Sequence, residues 1–158
     1  MQTDRLFSVC FPGSSHDRAA HGVAQSEAAG RDHRQIRLHS VSYGIQYEEA
    51  LPGHVYVAPP DRHLIVTRSG WLGLDAGAKV RHSRPAADRL FQSAAEFYGS
   101  RVVGVVLTGG DGDGTDGLRA IKAAGGLAIV QDPADATAPD MPMNALKGDH
   151  PDYCSSMR

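Results

Sequence analysis

The stretch Val102-Val103-Gly104-Val105-Val106-Leu107-Thr108-Gly109-Gly110-Asp111-Gly112-Asp113-Gly114 decides the fold. Its first half is a continuous, β-branched run, the pattern of a strand buried on both faces of a parallel sheet. Its second half is a glycine-rich loop. Thr115 to Ala124 predicts a helix with Leu118 and Ile121 inward, ended by Gly125-Gly126. Leu127 to Gln131 is another apolar strand, stopped by Asp132-Pro133. Together they form one βαβ unit, whose crossover is expected to be right-handed. The fold class read from it is α/β: three layers, with a mostly parallel sheet flanked by helices.

Working upstream, Ser83-Arg84-Pro85 predicts a helix start, with Ser as cap and Pro in the first turn. Leu90, Phe91, Ala94, Ala95 and Tyr98 share one face, and Gly99 closes the helix. His54–Ala58 and His63–Thr67 are β-rich runs around Pro59-Pro60-Asp61-Arg62, which predicts a β-hairpin over 54–67. Arg68 to Lys79 reads as a loop carrying the single tryptophan, Trp71, which, like Tyr56, is expected to pack. His63 reads as a hairpin residue. Leu6 to Cys10 fits a strand. The composition shifts near residue 40: Ser14 to Ser40 holds four of the eight histidines and no aromatic residue. Its low apolar content predicts weak order. The expected organisation is a divergent segment over 1–40, a domain over 41–154 and a tail over 155–158.

At 158 residues and 41% apolar content the chain suits one domain with a sizeable core. A formal net charge of -2 without a basic stripe argues against nucleic acid as partner. No apolar run approaches the roughly 18 residues of a membrane span. Cys10 and Cys154 lack metal-ligand spacing and make no disulfide framework, so a reducing, cytoplasmic setting is expected. Pro12 ends the Leu6–Phe11 run before it reaches the length of a signal-peptide core.

Three chemistries compete for the glycine-rich loop, which sits where α/β proteins place their ligands. Gly112-Asp113-Gly114-Thr115-Asp116-Gly117 matches G-x-G-x-x-G, and Asp132 ends the following strand, as dinucleotide binding asks. However, Asp111, Asp113 and Asp116 crowd the helix N-terminus that would receive a pyrophosphate, and like charges repel it. An EF-hand is rejected, because Asp116 stands where glycine is needed and Lys122 where a bidentate glutamate is needed. The third reading is an orienting carboxylate: an aspartate at a strand end holds a histidine in the tautomer that deprotonates a serine. Asp113, between two glycines, suits this. Against all three stands the plain alternative that Asp113 or Asp111 caps the helix.

Leu107-Thr108-Gly109, Asp113-Gly114 and Gly117-Leu118 resemble the T-G-M-x-x-D-G-x-x-G-L signature of the CheB-type protein-glutamate methylesterases of bacterial chemotaxis. Pro52-Gly53-His54-Val55-Tyr56-Val57-Ala58-Pro59 with His63-Leu64 is similar to the family's P-G-x-V-Y-V-A-P-x-x-x-H-L segment. Arg84-Pro85, Asp88, Leu90-Phe91 and Ser93-Ala94-Ala95 resemble its R-P-S-x-D-x-L-F-x-S-A-A helix. Gly125-Gly126, Gln131-Asp132, Met141-Pro142 and His150-Pro151-Asp152-Tyr153 follow in order. The resemblance spans about Leu51 to Cys154.

The resemblance implies hydrolysis of glutamate methyl esters on methyl-accepting chemotaxis receptors, with glutamine deamidation in many members. It implies a Ser-His-Asp triad and no cofactor or metal. The triad aspartate maps onto Asp113. Gly110 replaces the loop methionine, and Ala86 replaces the serine of R-P-S. The family's G-A-S-x-G-G nucleophile turn and Q-H-M histidine have no counterpart. Ser14, after Gly13, with His16 or His21 are the residues left to stand in for them. On this reading the chain is a domain shortened at both ends. It is expected to be at most weakly active and to expose apolar faces of Val102–Leu107 and Leu127–Val130. The other outcome of the same reading is a non-catalytic remnant that keeps the scaffold as a binding module.

Overall fold

The computed structural model describes residues 7–11, 40–148 and 151–156. Four parallel strands form its main sheet, in the order β1-β7-β8-β9: Phe7–Phe11, Val102–Val106, Leu127–Gln131 and Tyr153–Ser155. The central pair, β7 and β8, is the β-branched pair of the sequence reading, and helix α2 (Thr115–Ala123) crosses between them. Leu118 and Ile121 turn inward as expected, at 2% and 0% exposure. The α/β class, with a parallel sheet flanked by helices, is therefore what the structure shows. Leu6–Cys10, read as a strand, corresponds to β1, and the final strand β9 takes in Ser155, which the sequence reading placed in a tail.

Helix α1 (Ala87–Tyr98) buries Leu90, Phe91, Ala94 and Ala95, and Gly99 closes it with φ +57°. Its start differs from the expectation. Ala86 is the N-cap residue and offers no side chain, and the Ser83 hydroxyl points to Asp111 Oδ2 instead, at 3.5 Å. The donors of the first turn are satisfied from elsewhere in the chain, as described below. Helix α3 (Asp140–Gly148) buries Met141, Pro142 and Ala145.

The hairpin over 54–67 is not formed. Strand β4 (His54–Val57) pairs in parallel with β2 (Ser40–Tyr43), and β5 (His63–Val66) pairs antiparallel with β6 (Trp71–Asp75). The hairpin is thus β5–β6, one strand later than the sequence suggests. A third strand, β3 (Glu48–Glu49), pairs with the other edge of β6. The glycine content of Trp71–Asp75 hides this strand. Gly73 lies where a Cβ would stand 3.1 Å from both Ile65 Cγ1 and Thr67 Cγ2, so glycine marks a close cross-strand approach rather than a loop. Trp71, expected to pack, is 45% exposed, whereas Leu72 beside it is buried. Strand β5 is tied to α1 by Val66 N–H donating to Ser93 Oγ at 2.9 Å.

The expected exposure of β7 and β8 is also corrected. Val102, Val106, Ala128 and Val130 are fully buried, and the large exposed apolar residues gather on and beside β2 and β4, among them Val41, Tyr43, Ile45 and Val57. From the two-stranded sheet Tyr56 packs partly against the core, while α1, α2 and α3 cover the central strands. Residues 12–39, which the sequence reading assigns to a weakly ordered segment, lie outside the described residues.

Candidate active site

The loop between β7 and α2 is fastened on both sides. The Gln131 side chain accepts the Thr108 N–H at 2.9 Å, and the Thr108 hydroxyl accepts the Ala138 N–H at 2.7 Å. Gly109 N–H donates to Ala138 O, and Met141 N–H donates to Gly109 O, at 2.9 and 3.0 Å. Asn144 of α3 donates to Asp111 O at 3.2 Å. The C-terminal end of β7 therefore carries a loop tied to β8, to the segment entering α3 and to α3 itself.

Of the three loop carboxylates, Asp113 is the one turned into the protein, at 5% exposure. Its Oδ2 accepts the Ala87 N–H at 2.7 Å, and its Oδ1 accepts the N–H groups of Asp88 and Gly114, each at 3.0 Å. Asp111 shapes the turn: its Oδ1 accepts the Asp113 N–H at 2.8 Å. Asp116 stays near the surface, bonded to Arg81 and Arg119. The simple capping alternative takes an unexpected form. Asp113 caps α1, twenty-six residues upstream, and not α2, whose N-cap is Gly114 at φ +89°. A residue other than glycine would be strained there.

The cap is reciprocated. Asp88, in the first turn of α1 and 2% exposed, accepts the Gly117 N–H of α2 at 2.7 Å through Oδ1. Two helix N-termini thus face each other, each neutralised by a carboxylate from the other's segment. Burial, the largest influence, pushes both the Asp88 and the Asp113 carboxyls above the ordinary carboxylate range, against the backbone N–H groups that favour their charged forms. The dinucleotide fingerprint ends on Gly117, and its N–H is already taken by Asp88. A pyrophosphate would have to displace a buried carboxylate from that position.

His63 is a hairpin residue, as read, in the β5–β6 hairpin. It begins β5 and is fully buried. Its Nδ1 accepts the Ala86 N–H at 3.1 Å, so Nε2 carries the proton and donates to Ala78 O at 3.1 Å. Nδ1 thereby holds the start of α1, and Nε2 holds the segment that follows β6. Asp88 and His63 were present in the sequence only as motif letters; a first-turn acid was the one available hint of the Asp88 cap. Ser14, His16 and His21 lie outside the described residues. Cys154 is exposed on β9. A recess of about 250 Å³ between β5 and α1, lined by Val66, Arg68, Glu96 and Phe97, contains none of the loop residues.

The family model for CheB methylesterases matches residues 31–157. The chain belongs to this family. A CheB methylesterase catalytic domain of Thermotoga maritima superposes with a TM-score of 0.69 at 35% identity, covering 73% of this chain and 62% of that one. The protein-glutamate methylesterase/protein-glutamine glutaminase homologue of Leptospira interrogans is 44% identical over 110 residues, 70% of this chain and 57% of its own length. The protein-glutamate methylesterase FrzG of Myxococcus xanthus is 46% identical over 95 residues, 60% of this chain and 28% of its own. The chain thus spans little more than half the length of the Leptospira relative and little more than a quarter of FrzG. Among the described residues no helix is long and apolar enough to cross a membrane.

Proposed function

We propose that this chain hydrolyses glutamate methyl esters on methyl-accepting chemotaxis receptors, in the cytoplasm, with Asp113 as the orienting carboxylate. In that reaction a serine oxygen attacks the ester carbonyl as a histidine takes its proton, methanol leaves, and water then frees the glutamate carboxylate. A glutamine side chain follows the same course with ammonia leaving. The observation that carries the reading is the setting of Asp113. A carboxylate offers about four acceptor positions; Asp113 uses three on backbone N–H groups. It is thereby held rigidly at the end of β7, with acceptor capacity left for an imidazole N–H. Ser14 with His16 or His21 are the first partners to test.

The second reading, a binding module without catalysis, is favoured by a different fact. As a cap for α1 Asp113 is complete without a histidine, and none of the described histidines, His54, His63 and His82, hydrogen-bonds to it. Methanol release from methylated chemoreceptor by the purified chain separates the two. The esterase reading expects turnover that drops by about 10⁴ in Asp113→Asn, because an amide cannot hold the imidazole in its working tautomer. A folded chain that releases methanol no faster than Asp113→Asn selects the module.

A further inference from the structure

We propose that Asp88, balanced by Arg81, is the positioning residue for Asp113. The inference rests on the esterase reading for its consequence in catalysis and on the geometry alone for the positioning itself. Residue 88 takes part in two bonds to one short segment. Its N–H donates to Asp113 Oδ1 at 3.0 Å, and its Oδ1 accepts the Gly117 N–H at 2.7 Å. Asp113 and Gly117 stand four residues apart, so the loop end and the first turn of α2 are clamped onto a single residue of α1. Asp113 cannot swing without stretching one of these bonds.

The second oxygen of Asp88 has no hydrogen-bond partner among the described residues, although it is buried. Its only close partner there is Arg81, whose Nε lies 3.7 Å away. Arg81 is held over the cluster by an unfavourable turn. Val80 and Ser83 exchange both backbone hydrogen bonds, and the two residues between them, Arg81 and His82, have φ of +46° and +67°. This two-residue turn favours Asn-Gly, and side chains at both positions cost strain. The guanidinium that results ion-pairs with Asp88 and bonds Asp116 Oδ2 at 3.0 Å, and its Nη1 stands against Gly112.

The charged and titratable groups around Asp88 come from every neighbouring segment. Arg81 lies on the turn, Asp111 and Asp113 on the loop, Asp116 with Arg119 on α2, and His63 under Ala86 from β5. Within this set Asp111 is the like charge that raises Asp113, while Asp113 and Asp116 raise Asp88 and Arg81 lowers it. The two buried carboxylates titrate as a coupled pair, so removing Asp88, or the Arg81 cation that lowers it, is expected to move the pH at which Asp113 titrates. A purely structural clamp would not do this when its hydrogen bond is kept.

The test is a carboxyl-carbon NMR titration of the chain, with the Asp113 resonance assigned through Asp113→Asn. In Asp88→Asn, whose amide oxygen still accepts the Gly117 N–H, the Asp113 midpoint is expected to fall. In Arg81→Gln, a change at an exposed position, it is expected to rise. Where the native chain releases methanol, the acid limb of its pH profile shifts the same way. Midpoints unmoved in both variants overturn the proposal, and Arg81→Gln decides alone if Asp88→Asn fails to fold. A native chain without esterase activity but with both NMR shifts refutes the esterase reading and leaves the positioning intact.

Discussion

Replacing Gly117 by alanine tests the cross-capped junction directly. In an isolated helix the change is favourable, by at most about 1 kcal/mol. Here a Cβ would lie 2.5 Å from Phe91 Cβ and 3.1 Å from Asp88 Cα, atoms fixed to the backbone of α1 that no rotamer can move. Carbon contacts settle near 3.5–4.0 Å, so α1 and α2 must part by about 1 Å. The Gly117 N–H to Asp88 bond, 2.7 Å in the native chain, would then leave hydrogen-bonding range. Overpacking costs about 1–3 kcal/mol and a lost bond to a charged group about 1.5–3 kcal/mol. After the helix gain, the net loss is about 1.5–5 kcal/mol, or about 3–20 °C in melting temperature for a domain of this size. The assay is thermal and urea unfolding followed by circular dichroism, beside Gly110→Ala. A Cβ at Gly110 meets nothing within 4 Å, so that variant should stay within about 0.5 kcal/mol of native. A Gly117→Ala chain as stable as native would refute the argument that the helices meet at this distance.

Asp113→Ala should cost about 2–4 kcal/mol in urea unfolding, because it strands two N–H groups of α1 and that of Gly114 in the interior; a loss under 1 kcal/mol would mean that water or another group replaces the cap. His63→Ala should cost about 3–5 kcal/mol, through a cavity and two broken bonds to Ala78 and Ala86, with His63→Gln recovering part of it; equal losses for both variants would leave only the cavity as cause. Asp88 and Asp113 titrate above the ordinary carboxylate range, burial being the main cause. The folded chain therefore binds more protons than the unfolded one from about pH 4 up to those raised values, and their contribution to stability falls as pH rises through that window. Asp61 and Asp75, lowered chiefly by hydrogen bonds from Arg84 and Arg89, lose their contributions only below it. Urea midpoints between about pH 4 and 7 should show a shallower decline in Asp88→Asn than in the native chain, and an identical decline would contradict the assignment.

The sequence alone determined the βαβ unit, because its information is local. A continuous β-branched run and a helical spacing of Leu118 and Ile121 are each set within a few residues, and the model places both inside as read. Ordered motifs along two-thirds of the chain likewise carried the family. Strand partners were not legible. Residues 54–57 and 63–66 have the same local preference for extended backbone, and their pairing depended on Ser40–Tyr43 and Trp71–Asp75, which composition hides. The candidate site divides in the same way. That Asp113 lies between two glycines in the loop that follows a strand is readable along the chain. That it caps a helix beginning at residue 87, while Asp88 caps the helix beginning at residue 115, was decided only by the tertiary structure. A carboxylate shows in sequence which bonds it can accept, but only the packing of α1 on α2 chooses which buried N–H groups must find it.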